Sequence, residues 1–115
     1  MGVLPIDLYR IGDTVGPGLD LIRVGYDVVT LPVPPGGEAW VQAGTGGAST
    51  RAAIYRLRPA LAVRSRWWRI PAGTVYPTTL NVFNDHGQHW VWEPAQDMPL
   101  ADYVSALAGM NGRFV

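Results

Sequence analysis

The chain has no cysteine, which excludes disulfides, cysteine-ligated zinc and thiol catalysis within it. That absence suits a reducing compartment. Lysine is absent as well, since all nine basic residues are arginine. A gene rich in guanine and cytosine would produce this bias with no selection on function. The chemical consequence holds either way: Schiff-base and lysine general-base chemistry are excluded. Net charge is also lacking, because nine acidic residues balance the nine arginines. No global field draws the chain to nucleic acid or to a membrane surface. No apolar run is long enough to cross a bilayer. Met1 to Asp7 shows no basic region followed by a long apolar stretch, so no secretory signal peptide is expected. The expectation is a soluble, cytoplasmic protein.

What is present points to short elements. The 115 residues suit one domain spanning 1–115. Ten prolines and fourteen glycines are spread along the whole length, which favours tight turns. Leu4 to Ile11 reads as a first strand, Leu21 to Val24 as a short apolar piece, and Tyr26 to Val33 as extended. Pro34-Pro35-Gly36-Gly37 then turns the chain. Ala39 to Ala43 reads as a strand running into a glycine-rich turn, after which Ser49 or Thr50 caps a helix over Arg51 to Leu57 that Pro59 ends. Trp67 to Ile70, Thr79 to Phe83 and His89 to Glu93 read as strands. Leu100, Tyr103, Val104 and Leu107 form the apolar stripe of a final helix, preceded by Asp97 and stopped by Gly109. The expected fold class is α+β, a small split sheet or sandwich with a central cleft, seven short strands and two helices.

Three segments carry polar side chains at the end or edge of apolar stretches. Arg10 ends the first strand, where a guanidinium can hold a phosphate bidentately or pair with Asp7 or Asp13. Thr45-Gly46-Gly47-Ala48-Ser49-Thr50 offers permissive torsions and hydroxyls. It reads equally as a ligand-holding turn or a plain helix cap, and its spacing matches neither GxGxxG nor GxxxxGK[ST]. In His89-Trp90-Val91-Trp92-Glu93, alternation puts His89, Val91 and Glu93 on one face and both tryptophans on the other. That face is either a site or an ordinary exposed strand. Asp85, His86 and His89 show no known metal spacing, so no metal is expected. Arg51, Arg56, Arg58, Arg64, Arg66 and Arg69 make the middle basic, but neutral total charge argues against nucleic acid.

Taken in order, these segments resemble one family, the small type VI secretion effector toxins with an ADP-ribosyltransferase-like fold. The resemblance rests most on Trp68 to Leu107, with Ile70-Pro71-Ala72-Gly73-Thr74, Pro77, Leu80, Val82, Asp85, His89 beside an aromatic, Pro94-Ala95, Met98 and the closing helix. Leu8-Tyr9-Arg10 and Thr45 to Ser49 also look like family segments, while Gly12 to Gly37 finds no counterpart. The resemblance implies a split pair of small sheets clasping NAD, and a cognate immunity protein or antitoxin. It implies that Arg10 holds the pyrophosphate or nearby ribose. Ser49 would fix the nicotinamide ribose, Thr50 would stand as a second hydroxyl, and His89 would contact the ribose. Tyr9, Thr45, Gly47 and Trp90 join the NAD contacts on the same ground. The family's late strand carries no acid at the position of Glu93. Glu93 is therefore either a catalytic acid or a coincidence on an edge strand. Three other readings stay open: an RNA 2'-phosphotransferase-like enzyme on the same fold, a non-catalytic binding domain, and a structural β-rich module.

Overall fold

The computed structural model describes residues 1–32 and 35–115, so Val33 and Pro34 of the expected extended segment and turn lie outside the described residues. The elements run β1 (Gly2–Val3), β2 (Leu8–Asp13), β3 (Trp40–Val41), β4 (Ala48–Arg51), α1 (Pro59–Ala62), β5 (Ser65–Ile70), β6 (Val75–Tyr76), β7 (Leu80–His86), β8 (His89–Pro94), β9 (Met98–Pro99) and α2 (Leu100–Asn111). The α+β expectation holds. The described residues form nine strands and two helices, and β1, β4, β6 and β9 lie outside the segments read as strands.

Five strands form one antiparallel sheet in the order β5-β2-β4-β8-β7. Two short ribbons, β1 with β6 and β3 with β9, flank it. Alternation along each strand gives the sheet a closed face and an open one. Leu8, Ile70, Ala48, Trp92 and Leu80 fill the closed face, with Leu107 and Tyr103 of α2 in the same core. The Tyr103 hydroxyl donates to the Trp92 carbonyl at 2.5 Å and accepts the Ala48 N–H at 3.1 Å. This ties α2 to both β4 and β8. Burial pushes the Tyr103 phenol up to about 12. The free edge of β5 is covered by the chain end, where Arg69 and Val115 exchange both backbone hydrogen bonds.

Several segments differ from the sequence reading. The chain bends between β1 and β2, so the strand expected over Leu4 to Ile11 is instead β2, which runs from Leu8 to Asp13. Between Leu21 and Thr30 the backbone makes only isolated bridges, at Val24–Val28 and Thr30–Val41. No helix follows the glycine-rich turn. Residues 48–51 are instead a strand, held between β2 and β8. Pairing on both edges outweighs the capping signal of Ser49 and Thr50. Pro59 opens α1 instead of ending a helix. The last helix runs past Gly109 to Asn111. Met110 is buried there, and the Asn111 side chain bonds the Leu19 N–H at 2.9 Å and Asp20 at 2.7 Å. Those contacts outweigh the roughly 1 kcal/mol cost of a helical glycine.

Candidate functional site

The open face of β4 and β8 carries the polar cluster. Ser49 lies opposite Val91, and Arg51 opposite His89, so Ser49 and His89 are diagonal neighbours on one face. The Ser49 Oγ is 2.9 Å from His89 Nε2. On the other side of the ring, His89 Nδ1 is 2.5 Å from Asp85 Oδ1. Asp85 reaches this face by alternation, following Asn81 and Phe83, which pair with Glu93 and Val91. The register shift between Asn84 and His86 instead sets His86 opposite His89. Burial opposes the Asp85 charge, but the hydrogen bond from His89 and the charges of His89 and His86 outweigh it, so the carboxyl sits below its ordinary value. An ionised carboxylate only accepts, so a neutral His89 places its proton on Nδ1. Nε2 then accepts from the Ser49 hydroxyl. Ser49, His89 and Asp85 thus form one chain of two hydrogen bonds.

This chain opens into a cavity of about 310 Å³. Gly46 and Gly47 form part of its wall, and both positions require glycine. Gly46 has φ +124°, a torsion that side chains rarely adopt. A Cβ on Gly47 would lie 2.0 Å from the Trp92 carbonyl oxygen, so β8 could not come so close. Thr45 lines the same wall, its hydroxyl donating to the Gln42 carbonyl at 2.7 Å. The opposite rim comes from the segment before β3. There Arg23 pairs with Asp27 at 3.1 Å and stacks over Tyr26 at 4.4 Å. The sequence reading missed Arg23, Tyr26 and Asp27 because it took that stretch only as a short apolar piece and an extended segment, and the resemblance found no counterpart there. It passed over Asp85 as a site residue because it ended that strand at Phe83, whereas β7 runs on to His86.

The other candidate residues separate by face. Arg10 shares the face of the buried Leu8, on the closed side. Its Nε donates to Pro17 O at 2.9 Å, Nη1 to Ser49 O at 2.7 Å and Nη2 to Gly18 O at 3.0 Å. It pairs with neither Asp7 nor Asp13, which instead bond Arg69 and the Val15 and Gly16 N–H groups. Burial lowers the Arg10 pKa from its ordinary value. Thr50 is turned to the core, where its hydroxyl donates to Trp90 O at 3.2 Å and accepts the Trp92 indole N–H at 3.0 Å. Trp90 packs against the core and does not face the cavity. Tyr9 lies across from Arg51 and lines a second cavity of about 210 Å³, which shares Ser49 with the first. Glu93 shares the His89 face but does not line either cavity, and its carboxylate accepts from the Asn81 amide at 3.0 Å.

A larger cavity of about 430 Å³ lies beside Arg10, Leu21 and Asn111 and holds neither Ser49 nor His89. Among the described residues, a hydroxyl, an imidazole and a carboxylate meet in the cavity of about 310 Å³. Among the described residues one group could hold a metal ion: Asp85, His86 and His89 offer ligand atoms within 4.8 Å of one another. The β7–β8 register shift brings His86 in as the third donor, opposite His89. Arg64, Arg66 and Arg69, the residues an RNA-directed enzyme would bring to the mouth, line neither cavity around Ser49. No helix among the described residues is long and apolar enough to cross a membrane.

The sequence matches the family model of the Tse2 ADP-ribosyltransferase toxin over residues 16–113. The match takes in most of the stretch from Gly12 to Gly37 that the resemblance left without a counterpart, and it begins after Arg10. No curated protein and no solved structure matches the chain.

Proposed function

The chain belongs to the Tse2 ADP-ribosyltransferase toxin family, and from that premise we propose that it binds NAD over Ser49 and His89 and transfers the ADP-ribosyl group to a nucleophile of a cellular target. The observation that carries this reading is the hydrogen-bonded chain Ser49–His89–Asp85 opening into a cavity. NAD would supply an N-glycosidic bond whose breakage releases nicotinamide and leaves an electrophilic ribose. The chain's residues do the rest. The Ser49 hydroxyl and the His89 ring bind ribose hydroxyls in a fixed orientation. Gly46 and Gly47 allow a ligand to approach the backbone closely. Positive charge develops on the ribose as the bond breaks, and a site gains most from negative groups placed there beforehand. The carboxylates of Asp27 and Asp85 line the cavity and suit that role better than Glu93 does.

The proposal extends to regulation. Tyr26 lines the cavity and is 80% exposed, Val24 two residues before it is 52% exposed, and Leu21, 71% exposed, lines the larger cavity beside Arg10. An apolar rim of this kind suits an immunity protein or antitoxin that plugs the cleft. Delivery by a type VI secretion machine and action in the cytoplasm of the target cell complete the proposed role.

Induced expression in a bacterial culture, with total cellular NAD followed over time, tests the enzymatic part. Wild-type protein should arrest growth and either deplete NAD or transfer label from it. Ser49→Ala and His89→Ala should each relieve both effects. Arrest that survives both substitutions would overturn the catalytic reading and leave a toxin that acts by binding.

A further inference from the structure

Two arginines flank Ser49, and the structure uses them differently. Arg10 is committed: three of its nitrogens donate to backbone carbonyls on the closed side of the sheet. Arg51 is two residues beyond Ser49 on β4, so their side chains leave the same open face roughly 6.6 Å apart along the strand. Its neighbours across the strand pairs are Tyr9 and His89. Arg51 Nε is buried and has no hydrogen-bond partner, and among the described residues the guanidinium enters no ion pair. Burying such a donor unsatisfied is costly, so it marks a place built for an acceptor.

The surroundings say which acceptor. Arg51 lines the cavity of about 210 Å³ with Tyr9, Arg10, Ile11, Ser49, Thr50 and Trp67, and of its two guanidinium groups only that of Arg10 is taken up by backbone carbonyls. The Trp67 ring is fixed by its indole N–H bond to Tyr55 O at 2.8 Å and by edge contact with the Tyr55 ring at 5.0 Å. A guanidinium fork matches the oxygens of a phosphate. A fixed indole offers a stacking surface for a purine. We infer that this second cavity is the subsite for the adenosine-diphosphate half of the dinucleotide, with Arg51 rather than Arg10 on the pyrophosphate and Trp67 beside the adenine. The inference rests on the NAD reading above. Ser49, shared by both cavities, lies where the two halves of such a ligand join.

Calorimetric titration of the purified protein with inorganic pyrophosphate, ADP and NAD separates the inference from that reading. Thermal midpoints are recorded by circular dichroism for each variant. Arg51→Ala should weaken pyrophosphate and ADP at least about tenfold, since a bidentate charged contact is lost, and should move the midpoint by a few degrees at most, since the guanidinium gives up only its contact with the Tyr55 ring at 5.3 Å. Arg51→Lys should recover part of the pyrophosphate affinity, as a point charge without the fork. Arg10→Ala should instead lower the midpoint by on the order of 10 °C, because three bonds between strand and loop disappear. Wild-type protein that binds pyrophosphate and ADP through Arg51 but ignores NAD would uphold the subsite and sink the NAD reading. NAD binding that Arg51→Ala leaves unchanged would sink the subsite and leave the NAD reading standing. Wild-type protein that binds neither ADP nor pyrophosphate would overturn the inference, and so would a folded Arg10→Ala protein that alone loses pyrophosphate.

Discussion

The two faces of β4 and β8 are built from alternate residues of the same strands, yet they hold opposite kinds of network. On the closed face Ala48, Thr50, Trp92 and Tyr103 bond only to one another and to backbone atoms nearby. On the open face Ser49, His89 and Asp85 also bond to one another, but they front a cavity. The closed network fixes how far apart the two strands sit and how they are turned. The open network inherits that geometry and has lone pairs to spare for a ligand. Damage to the first should therefore appear as lost stability, and damage to the second as lost activity.

The largest effect should come from the closed face. Trp92 is fully buried, with its indole N–H bonded to Thr50. Trp92→Ala should cost about 3–5 kcal/mol of stability. For a domain of this size that is enough to leave much of the protein unfolded at growth temperature. Urea denaturation followed by circular dichroism would measure it. A loss below 1 kcal/mol would show that the closed face does not hold the strands together.

On the open face, Ser49→Ala removes one half-exposed hydroxyl and its bond to His89. The stability cost should be about 1 kcal/mol or less, whereas NAD turnover should fall on the order of 100-fold if this hydroxyl orients the ribose. A stable variant that keeps wild-type turnover would break the contrast between the faces at its centre.

How much of this contrast was legible in the sequence depends on the residue. The alternation of His89 to Glu93 gave the two faces of β8 correctly, because period-two patterning needs only the strand itself. The stretch from Ser49 to Arg51 was misread as the start of a helix. A capping serine and a strand serine look the same until the partners on both sides, β2 and β8, are known. Trp90 was assigned to the ligand and Thr50 to a second hydroxyl, although both lie on the even-numbered, core side. Asp85 was missed as a partner of His89, since the strand was read as ending at Phe83 whereas β7 runs on to His86 and keeps Asp85 on the His89 face. The fold class and the ordered motifs were readable. The pairing of faces was not, because it is set by tertiary register.

Tyr103 offers a smaller effect with a distinctive pH dependence. Its phenol titrates at about 12 in the folded protein, against an ordinary value of 10.0. Between those two values the unfolded chain has released this proton and the folded one has kept it. Stability is therefore fully present below pH 10 and falls as pH rises towards 12, by about 2–3 kcal/mol in the limit. Tyr103→Phe should remove this group's share of the alkaline fall. It should also cost about 1–2 kcal/mol at neutral pH, because the Ala48 N–H and the Trp92 carbonyl each lose a partner. Denaturant midpoints at pH 7, 10 and 11 for the two proteins would show it. Parallel curves would mean that another group sets the alkaline limb.

The smallest effect should come from Glu93, which tests how far the open face extends as a site. It shares the face of His89 four residues along β8, roughly 13 Å away by strand rise. Its one side-chain bond runs to Asn81. Glu93→Gln preserves that acceptor and removes only the charge, so stability should stay within about 0.5 kcal/mol. If Asp27 and Asp85 supply the negative field at the ribose, turnover should change less than about twofold, since a screened charge at that distance contributes little. A drop approaching that of Ser49→Ala would return Glu93 to the reaction as its catalytic acid. The ligand would then have to lie along the full length of β8 rather than across β4, and the division of labour between the two cavities would have to be redrawn.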